Sequence, residues 1–254
     1  MSEHEQKPKE TFKVRDVGSG GGARWRTYTA LMTGERSFWA LVKYEFIVSF
    51  VGAVPGALGL ALRKALFPKV LGHVGRGVVF GRNVTIRHGK KIRIGDNVIV
   101  DDNCVLDAKG EDDSGITIGD NAFIGRNTIV YCKGGTIILG NNVNVGVNCD
   151  IYAKNHVAIG DNTMIAAYCY IMSGGQYDYT SAVPFYEQNS VSRGETRIGE
   201  ACWLGAKVVV QDAVCIGDRS VIGAGAIVTK SVPEYSVAVG VPAQVVSKTQ
   251  SDNE

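Results

Sequence analysis

The chain has 254 residues, including 32 glycines and 6 cysteines, and its formal net charge is +2. A charge this close to neutral, without a long face of Lys and Arg, argues against nucleic acid as the partner. The six cysteines lack any CxxC or metal-type spacing and residues 1–9 lack the apolar segment of a signal peptide, so a reducing, cytoplasmic location is expected, with membrane association as an option.

The N-terminal part divides into two predicted segments. Residues 1–24 are polar and end in a glycine-rich run, which predicts a disordered tail. Residues 25–72 are predicted to form an apolar helical segment, in which 17 residues (46–62) carry no charge. This run is short for a bilayer crossing, which takes about 20 residues, and Pro55 should break it into two helices. Two interpretations of residues 38–66 stay open: a hairpin that caps the following repeats, or an anchor at the membrane interface.

An apolar residue then returns every six positions in seven groups of three. The groups are Val74, Phe80, Ile86; Ile94, Val100, Leu106; Ile118, Ile124, Val130; Leu139, Val145, Ile151; Ile159, Ile165, Ile171; Ile198, Leu204, Val210; and Ile216, Ile222, Val228. Glycine directly follows 12 of these 21 residues, and the residue four positions on is compact. Because side chains alternate along a strand, both should point inward, with turns between them. The pattern predicts a three-sided parallel β-solenoid over residues 73–245.

Insertions between the repeats follow only the third residue of a group, so they should all leave from one edge of the solenoid. The longest is the loop 172–197, and loops of this length in a compact domain commonly carry function. Cysteines occupy four of the inward compact positions, where they should act as small core residues. These cysteines are Cys104, Cys149, Cys169 and Cys202.

Four stretches near the C-terminus form a recognisable signature. They are Trp203-Leu204-Gly205-Ala206, Ile216-Gly217-Asp218, the run from Ile222 to Pro233, and Gly240-Val241-Pro242-Ala243. They resemble the C-terminal signature of the hexapeptide-repeat acyltransferases, and the likeness covers roughly residues 74–246. The resemblance implies a left-handed parallel β-helix of about seven coils, a homotrimer, and acetyl-CoA or another acyl-CoA as co-substrate at sites between subunits, without a metal. The chain after Val228 would cross the trimer as an extended strand, followed by a tail over residues 246–254.

The resemblance also implies where the cofactor lies. The pantetheine arm would run along the last coils, where longer side chains would hold the backbone amides away from the thioester. The implied cofactor-binding residues are Trp203, Gly205, Ala206, Ala224, Thr229 and Lys230. Gln244 stands where family members often carry a basic residue, which weakens the case for binding of the CoA phosphates.

The usual general base of the family is a histidine at the mouth of the long loop, and this chain has Gln176 there. Glutamine cannot accept the proton. His156 is a candidate replacement, because it follows Ile151 by five residues as Gln176 follows Ile171, which would put the two on successive coils. Asp178 in the loop is the other candidate base.

Acyl transfer to a sugar is the function that these residues favour. Asn148, Gln176 and Tyr177 are expected to bind the acceptor, a sugar or a surface-polysaccharide or lipid-linked precursor. An amine that arrives partly neutral needs no base, so both O- and N-acylation stay open. The alternative is a non-catalytic trimeric scaffold or membrane-docking relative with a decayed site, which Gln176 favours. A zinc enzyme on the same fold is disfavoured, because it would need three converging histidines.

Overall fold

The structure is a computed structural model that describes residues 24–35, 37–110 and 115–249. The tail expected over residues 1–24 lies outside the described residues, apart from Arg24. The last part of the expected C-terminal tail, residues 250–254, also lies outside them.

Short helices precede the β-structure. They are α1 (Arg24–Thr33), α2 (Phe38–Tyr44), a π-helix (Glu45–Val51), α3 (Gly56–Leu66) and a 3-10 turn (Phe67–Lys69), and a second 3-10 turn (Gly89–Lys91) follows the third strand. Pro55 has an extended backbone and is the N-cap residue of α3, so the break expected at this proline is confirmed.

The strands form three sheets. The first sheet contains β1 (His73–Val74), β4 (Ile92–Ile94), β7 (Gly115–Ile118), β10 (Thr136–Leu139), β13 (His156–Ile159), β16 (Thr196–Ile198) and β19 (Cys215–Ile216). The second contains β2 (Val79–Phe80), β5 (Ile99–Val100), β8 (Phe123–Ile124), β11 (Asn144–Val145), β14 (Met164–Ile165), β17 (Trp203–Leu204), β20 (Val221–Ile222), β22 (Ser236–Val239) and β23 (Gln244–Lys248). The third contains β3 (Thr85–Arg87), β6 (Val105–Lys109), β9 (Ile129–Lys133), β12 (Asp150–Ala153), β15 (Tyr170–Ser173), β18 (Val209–Val210) and β21 (Ile227–Val228).

The register of these sheets confirms the predicted three-sided solenoid of seven coils. Successive coils pair in parallel, and each repeat residue stands opposite its counterpart on the next coil, as Val74 does opposite Ile94. The repeat residues fill the interior, and all but Val74 are buried. The core is therefore one continuous column in which each coil buries its apolar side chains against its neighbours.

The corners between sheets depend on asparagine and glycine. Of the 15 described non-glycine residues with positive φ, eight are asparagines, which tolerate this left-handed conformation better than most residues. Glycine is required for a different reason at Gly119, where a Cβ would lie 2.6 Å from the carbonyl carbon of Gly140 on the next coil. Coils spaced at strand distance leave no room for a side chain at this corner position.

The inward compact residues have a polar role that the repeat pattern did not predict. Cys149 Sγ donates to the carbonyl of Ala166 at 3.1 Å, and Thr163 Oγ1 donates to the carbonyl of Gly199 at 2.8 Å. Each of these groups satisfies a corner carbonyl of the following coil, which explains why Cys, Thr and Ser alternate with aliphatic residues here. The prediction that four cysteines are buried core residues is confirmed, and Cys132 is buried as well.

The helices cover the first coil. Phe67 is fully buried and its ring centroid lies 5.1 Å from that of Phe80. Arg63 is 2% exposed, and it donates from Nε to the carbonyl of Phe80 at 2.9 Å and from Nη1 to that of Val54 at 2.7 Å. The capping interpretation therefore describes the inner face of this segment. In the described part of the chain, none of the helices has the length and apolar character that a membrane crossing requires.

The C-terminal strand differs from the expectation. β22 extends the second sheet in parallel with β20, and β23 then pairs antiparallel with β22. The chain reverses at Gly240, whose φ is +98°, a conformation that glycine adopts without strain. Residues 236–248 therefore form a hairpin within the chain in place of one continuous extended strand, and β23 becomes the edge of the second sheet. The crossing of a trimer by this segment stays a prediction. Residues 246–248 lie in β23, where a tail was expected.

Candidate active site

Four of the six predicted cofactor residues, Trp203, Gly205, Ala206 and Ala224, lie at or beside the corner between the second and third sheets on the last two coils, whereas Thr229 and Lys230 follow β21 and lie at the corner between the third and first sheets. Trp203 in β17 is 55% exposed and stands in register between Met164 and Val221 on the outer face of the second sheet. At the adjacent corner a Cβ on Gly205 would lie 2.6 Å from the backbone nitrogen of Ala224. The stacking of the corners therefore requires glycine at position 205, independently of any role in cofactor binding.

Of the remaining predicted cofactor residues, Ala206 extends this surface, whereas Thr229 and Lys230 lie at the next corner. Ala206 accepts a hydrogen bond from the backbone nitrogen of Gly225 at 2.8 Å, so the corners of coils six and seven are stacked. Thr229 and Lys230 are exposed immediately after β21. Asn148 occupies the same corner as Ala206 on coil four, with φ of +55°, and its Oδ1 accepts from Asn127 Nδ2 at 3.1 Å. That contact joins the asparagine side chains of two successive coils at this corner.

The other predicted residues lie at the corner between the third and first sheets. The loop 172–197 leaves after β15, and Gln176 forms an antiparallel bridge with Val191. Gln176 Oε1 accepts from Arg193 Nη2 at 3.1 Å. The amide that replaces the family's usual histidine is therefore held by a cation, and it cannot accept a proton as a general base.

A buried carboxylate holds the base of this loop. Asp212 Oδ1 accepts from the backbone nitrogen of Gly174 at 2.6 Å and from Ser192 Oγ at 2.9 Å. Its Oδ2 accepts from the backbone nitrogen of Arg193 at 2.7 Å. Both ends of the loop are thus tied to one side chain of the following coil.

The expected equivalence of His156 and Gln176 is wrong. His156 begins β13 in the first sheet, and its neighbour Val157 pairs with Thr196 on the next coil. Gln176 instead lies within the loop, because the chain leaves the solenoid after Ser173 and returns only at Thr196. Because the loop is inserted directly after β15, the fifth residue after Ile171 does not occupy the position that corresponds to His156. A catalytic role for His156 stays a prediction that rests on sequence proximity alone.

Asp178 is held in a local turn. Its Oδ1 accepts from Thr180 Oγ1 at 2.6 Å and from the Thr180 backbone nitrogen at 2.9 Å. These hydrogen bonds lower the pKa of the Asp178 carboxyl, which makes it a weaker base than an ordinary aspartate. Tyr177 beside it packs edge to face on Phe185, with 6.2 Å between ring centroids. The roles of both residues stay predictions.

The sequence analysis missed a group of residues on the outer face of the third sheet. Tyr131 and Tyr152 stand in register, and their ring centroids are 4.7 Å apart. Asp150 lies on the same strand as Tyr152, its Oδ1 is buried without a hydrogen-bond partner, and burial raises the pKa of its carboxyl to about 6. Lys154 Nζ donates to Ser190 Oγ of the loop at 3.0 Å. The repeat pattern identifies the inward positions of each strand. These residues occupy outward positions, and the sequence analysis therefore did not find them.

The structure thus gathers the predicted residues into two separate groups. Trp203, Gly205, Ala206, Ala224 and, on coil four, Asn148 follow the corner between the second and third sheets; Gln176, Tyr177, Asp178 and His156 are at the next corner, where Thr229 and Lys230 also lie on coil seven. Within one chain these two groups lie at different edges of the triangular solenoid. Within the described ranges, no group of three or more His, Cys, Asp or Glu side chains is arranged to hold a metal ion.

Family models match the repeats themselves. Residues 195–230 match a model described as bacterial transferase hexapeptide (six repeats), and residues 73–108 and 115–153 match one described as hexapeptide repeat of succinyl-transferase. These segments coincide with coils whose register is set out above. Over these segments the chain is made of hexapeptide repeats.

Curated relatives of this hexapeptide-repeat protein include the galactoside O-acetyltransferase of Escherichia coli (strain K12), which is 36% identical over 130 residues, covering 51% of this chain and 62% of the relative. A protein of Staphylococcus aureus (strain Mu50 / ATCC 700699), provisionally named an acetyltransferase, is 40% identical over 128 residues, covering 44% of this chain and 64% of the relative. The chain therefore spans less than two thirds of the length of these relatives.

A solved structure shares the fold of this hexapeptide-repeat protein. It is a variant of AntD, an N-acyltransferase from Bacillus cereus, in complex with dTDP-4-amino-4,6-dideoxyglucose and coenzyme A. The TM-score is 0.54 and the identity 17%, with 74% of this chain and 89% of that chain covered. At this identity the likeness concerns the fold.

Proposed function

We propose that this hexapeptide-repeat protein is an acyl-CoA-dependent acyltransferase that transfers an acetyl group to a hydroxyl or amino group of a sugar. The observation that carries the proposal is the corner at Ala206 and Ala224, where only small side chains stand beside the exposed indole of Trp203. A thioester arm can lie along such a surface because no long side chain covers it. The relative named galactoside O-acetyltransferase supports a sugar as the acceptor.

The reaction needs little covalent chemistry from the protein. The acceptor oxygen or nitrogen attacks the thioester carbonyl, the bond to sulfur breaks, and the CoA thiolate leaves and takes up the acceptor's proton. With Gln176 hydrogen-bonded to Arg193, the loop offers no histidine at the family's usual position. Positioning then supplies much of the rate, which suits an amine better than an alcohol. A precursor of a surface polysaccharide is an acceptor class that fits both chemistries.

A homotrimer is part of the proposal. The cofactor residues Gly205, Ala206 and Ala224 lie at one edge of the solenoid and Gln176 and Tyr177 at another, so a site that uses both sets needs a second copy of the chain. The second sheet also exposes a column of apolar side chains that a neighbouring copy would cover. They are Val79, Ile99, Met164 and Trp203.

Release of free thiol from acetyl-CoA in the presence of a panel of amino and hydroxyl sugars tests the proposed activity. We expect thiol release with at least one sugar, and a kcat/KM about 10-fold lower for Trp203→Ala, because the arm loses a wall of its groove. His156→Ala and Asp178→Asn assign the base: a loss of about 10²-fold or more marks the residue that takes the proton. Equal rates in all three proteins remove both candidates. Absence of thiol release together with absence of acetyl-CoA binding heat would favour the scaffold.

We also propose that the outer face of the helical segment contacts a membrane surface. Trp39 is 76% exposed and Phe50 is 70% exposed, on the side of the helices away from the first coil. Lys43 and Lys69 line a cavity beside Trp39, where they can meet anionic headgroups.

Vesicle co-sedimentation tests the membrane contact. The double variant Trp39→Ser with Phe50→Ser should bind vesicles containing anionic phosphatidylserine several-fold more weakly than the wild type. The matched control is Tyr179→Ser, because Tyr179 is an 86% exposed aromatic in the loop, far along the chain from these helices. Equal sedimentation of all three proteins would contradict the proposal.

A further inference from the structure

Three lysines form a column on the outer face of the third sheet. Lys109 stands opposite Lys133 in the pairing of β6 with β9. The pairing of β9 with β12 ends at Cys132 opposite Ala153, so Lys133 and Lys154 are the next residues on adjacent strands. Parallel strands lie about 4.8 Å apart, which brings three ammonium groups onto neighbouring coils at the same position.

This arrangement costs free energy in the unliganded protein. Like charges directly opposite each other on adjacent strands are destabilising. Burial and the charge of Lys133 lower the pKa of Lys154, which shows that the two ammonium groups interact. Across residues 24–35, 37–110 and 115–249, no salt bridge pairs a carboxylate with any of the three lysines. Among the described residues, the ammonium group of Lys154 donates a hydrogen bond to Ser190.

The column adjoins the acceptor side of the candidate site. A Cβ at Gly174 would lie 2.6 Å from Cβ of Lys154, so Lys154 packs directly on the start of the loop that carries Gln176. The rings of Tyr131 and Tyr152 lie beside Lys133 and Lys154 on the same face. The partly exposed ring of Tyr131 and the edge of Tyr152, which is 8% exposed, border the row of cations, and this matches a ligand that has a planar or sugar ring next to phosphate groups.

We propose that the lysine column, defined as Lys109, Lys133 and Lys154, binds the diphosphate of a phosphorylated acceptor, with Tyr131 and Tyr152 contacting the adjoining ring. This deepens the proposed function, because it names the acceptor class as a diphosphate-linked sugar. Phosphate oxygens accept charge-assisted hydrogen bonds from lysine and neutralise the repulsion within the column. A nucleoside or a polyprenyl chain can carry the same diphosphate, and coenzyme A contains one as well.

Calorimetry at low salt tests the site with inorganic pyrophosphate, UDP, a polyprenyl diphosphate in detergent, and coenzyme A. The double variant Lys133→Gln with Lys154→Gln should weaken pyrophosphate binding about 10-fold or more, and added salt should weaken binding to the wild type. Coenzyme A affinity should not change. Lys64→Gln, on exposed α3, is the matched control and should behave as wild type. Tyr152→Leu should weaken UDP binding while leaving pyrophosphate binding unchanged if a nucleoside is the carrier.

The outcomes separate this site from the proposed activity. Unchanged pyrophosphate affinity in the double variant overturns the site, and so does an equal loss of coenzyme A affinity, since the column would then belong to the cofactor. If the double variant weakens binding of the polyprenyl diphosphate as much as it weakens binding of pyrophosphate, but leaves UDP binding unchanged, the site is supported and its ligand is a lipid-linked diphosphate. If the lysine dependence is found but no thiol is released with any acceptor, the site stands and the proposed transfer fails.

Discussion

At the scale of single residues, outward and inward positions of one strand serve different purposes. In β12 the inward residues Ile151 and Ala153 are fully buried aliphatic groups that only fill the core. Asp150 and Tyr152 point outward from the same strand, and there a buried carboxylate oxygen without a partner carries a free-energy penalty that packing does not recover. Such a penalty is more common at functional sites than at purely structural ones.

Asp150→Asn should stabilise the protein at neutral pH and not at acidic pH. The pKa of the Asp150 carboxyl is raised from 3.8 to about 6, so the unfolded chain ionises at lower pH than the folded one. Stability linked to this group is fully present below pH 3.8 and is lost as pH rises to about 6. Because the group is partly solvated, we expect a gain of only about 1 kcal/mol for Asp150→Asn at pH 8.

Denaturant unfolding at pH 4 and pH 8 measures this gain. The difference between Asp150→Asn and the wild type should shrink towards zero at pH 4. A gain of the same size at both pH values would show that the substitution acts through packing rather than through the charge.

At the scale of elements, the loop 172–197 is closed at its base by its own hydrogen bonds and tied to the next coil by Asp212. Ser173 Oγ donates to the carbonyl of Gly194 at 3.0 Å and Thr196 Oγ1 donates to the carbonyl of Met172 at 2.8 Å, which closes the loop at its base. Asp212 adds three hydrogen bonds from the next coil. The acceptor side of the candidate site therefore depends on coil six as well as on the loop sequence.

Asp212→Asn should loosen this loop without unfolding the solenoid. The carboxylate accepts hydrogen bonds on both oxygens, and an amide would turn an NH₂ group towards one of the donors. The loss of charge-assisted hydrogen bonds in a buried position should destabilise the loop by about 2 kcal/mol. Hydrogen exchange should show faster exchange over residues 172–197, with the strands of coils one to four unchanged.

Asp178→Asn is the matched control for this measurement, because its carboxylate is exposed and bonds only within the loop. Exchange protection in Asp212→Asn equal to that of the control would mean that coil six does not hold the loop.

At the scale of the whole molecule, the solenoid separates the two parts of the candidate site and offers a surface that could reunite them. The outer face of the second sheet carries an exposed apolar column, whereas the outward residues of the first sheet include Arg93, Thr117 and Arg197. An unequal distribution of apolar surface among three otherwise similar faces favours contact between copies through one of them.

Ile99→Lys should disrupt the assembly, and Ile138→Lys should not. Ile99 on the second sheet is 42% exposed and Ile138 on the first sheet is 40% exposed, so the two substitutions alter similar side chains on different faces. Sedimentation should give the wild type and Ile138→Lys a mass of three times the 27.2 kDa of one chain. Ile99→Lys should sediment as a smaller species, because a buried unpaired ammonium is costly. A monomeric wild type would contradict the trimer.

Several features of the fold followed from the sequence because they depend on local periodicity. The six-residue register placed Val74 opposite Ile94, and the compact position predicted the burial of Cys149. The break at Pro55 followed from the fixed φ of proline. Each of these properties either recurs in every coil or depends on a few neighbouring bonds. The amino-acid sequence alone is therefore enough to predict it.

Only the tertiary structure determined the features that depend on how the coils stack and on where the chain rejoins the solenoid after an inserted loop. The count from Ile171 could not place Gln176, since the loop leaves the register after Ser173. The return of β23 onto β22 and the meeting of three lysines separated by 21 to 24 residues depend on contacts between strands rather than along them. Sequence thus determined the cross-section of the solenoid, and three-dimensional stacking determined which outward side chains share a surface.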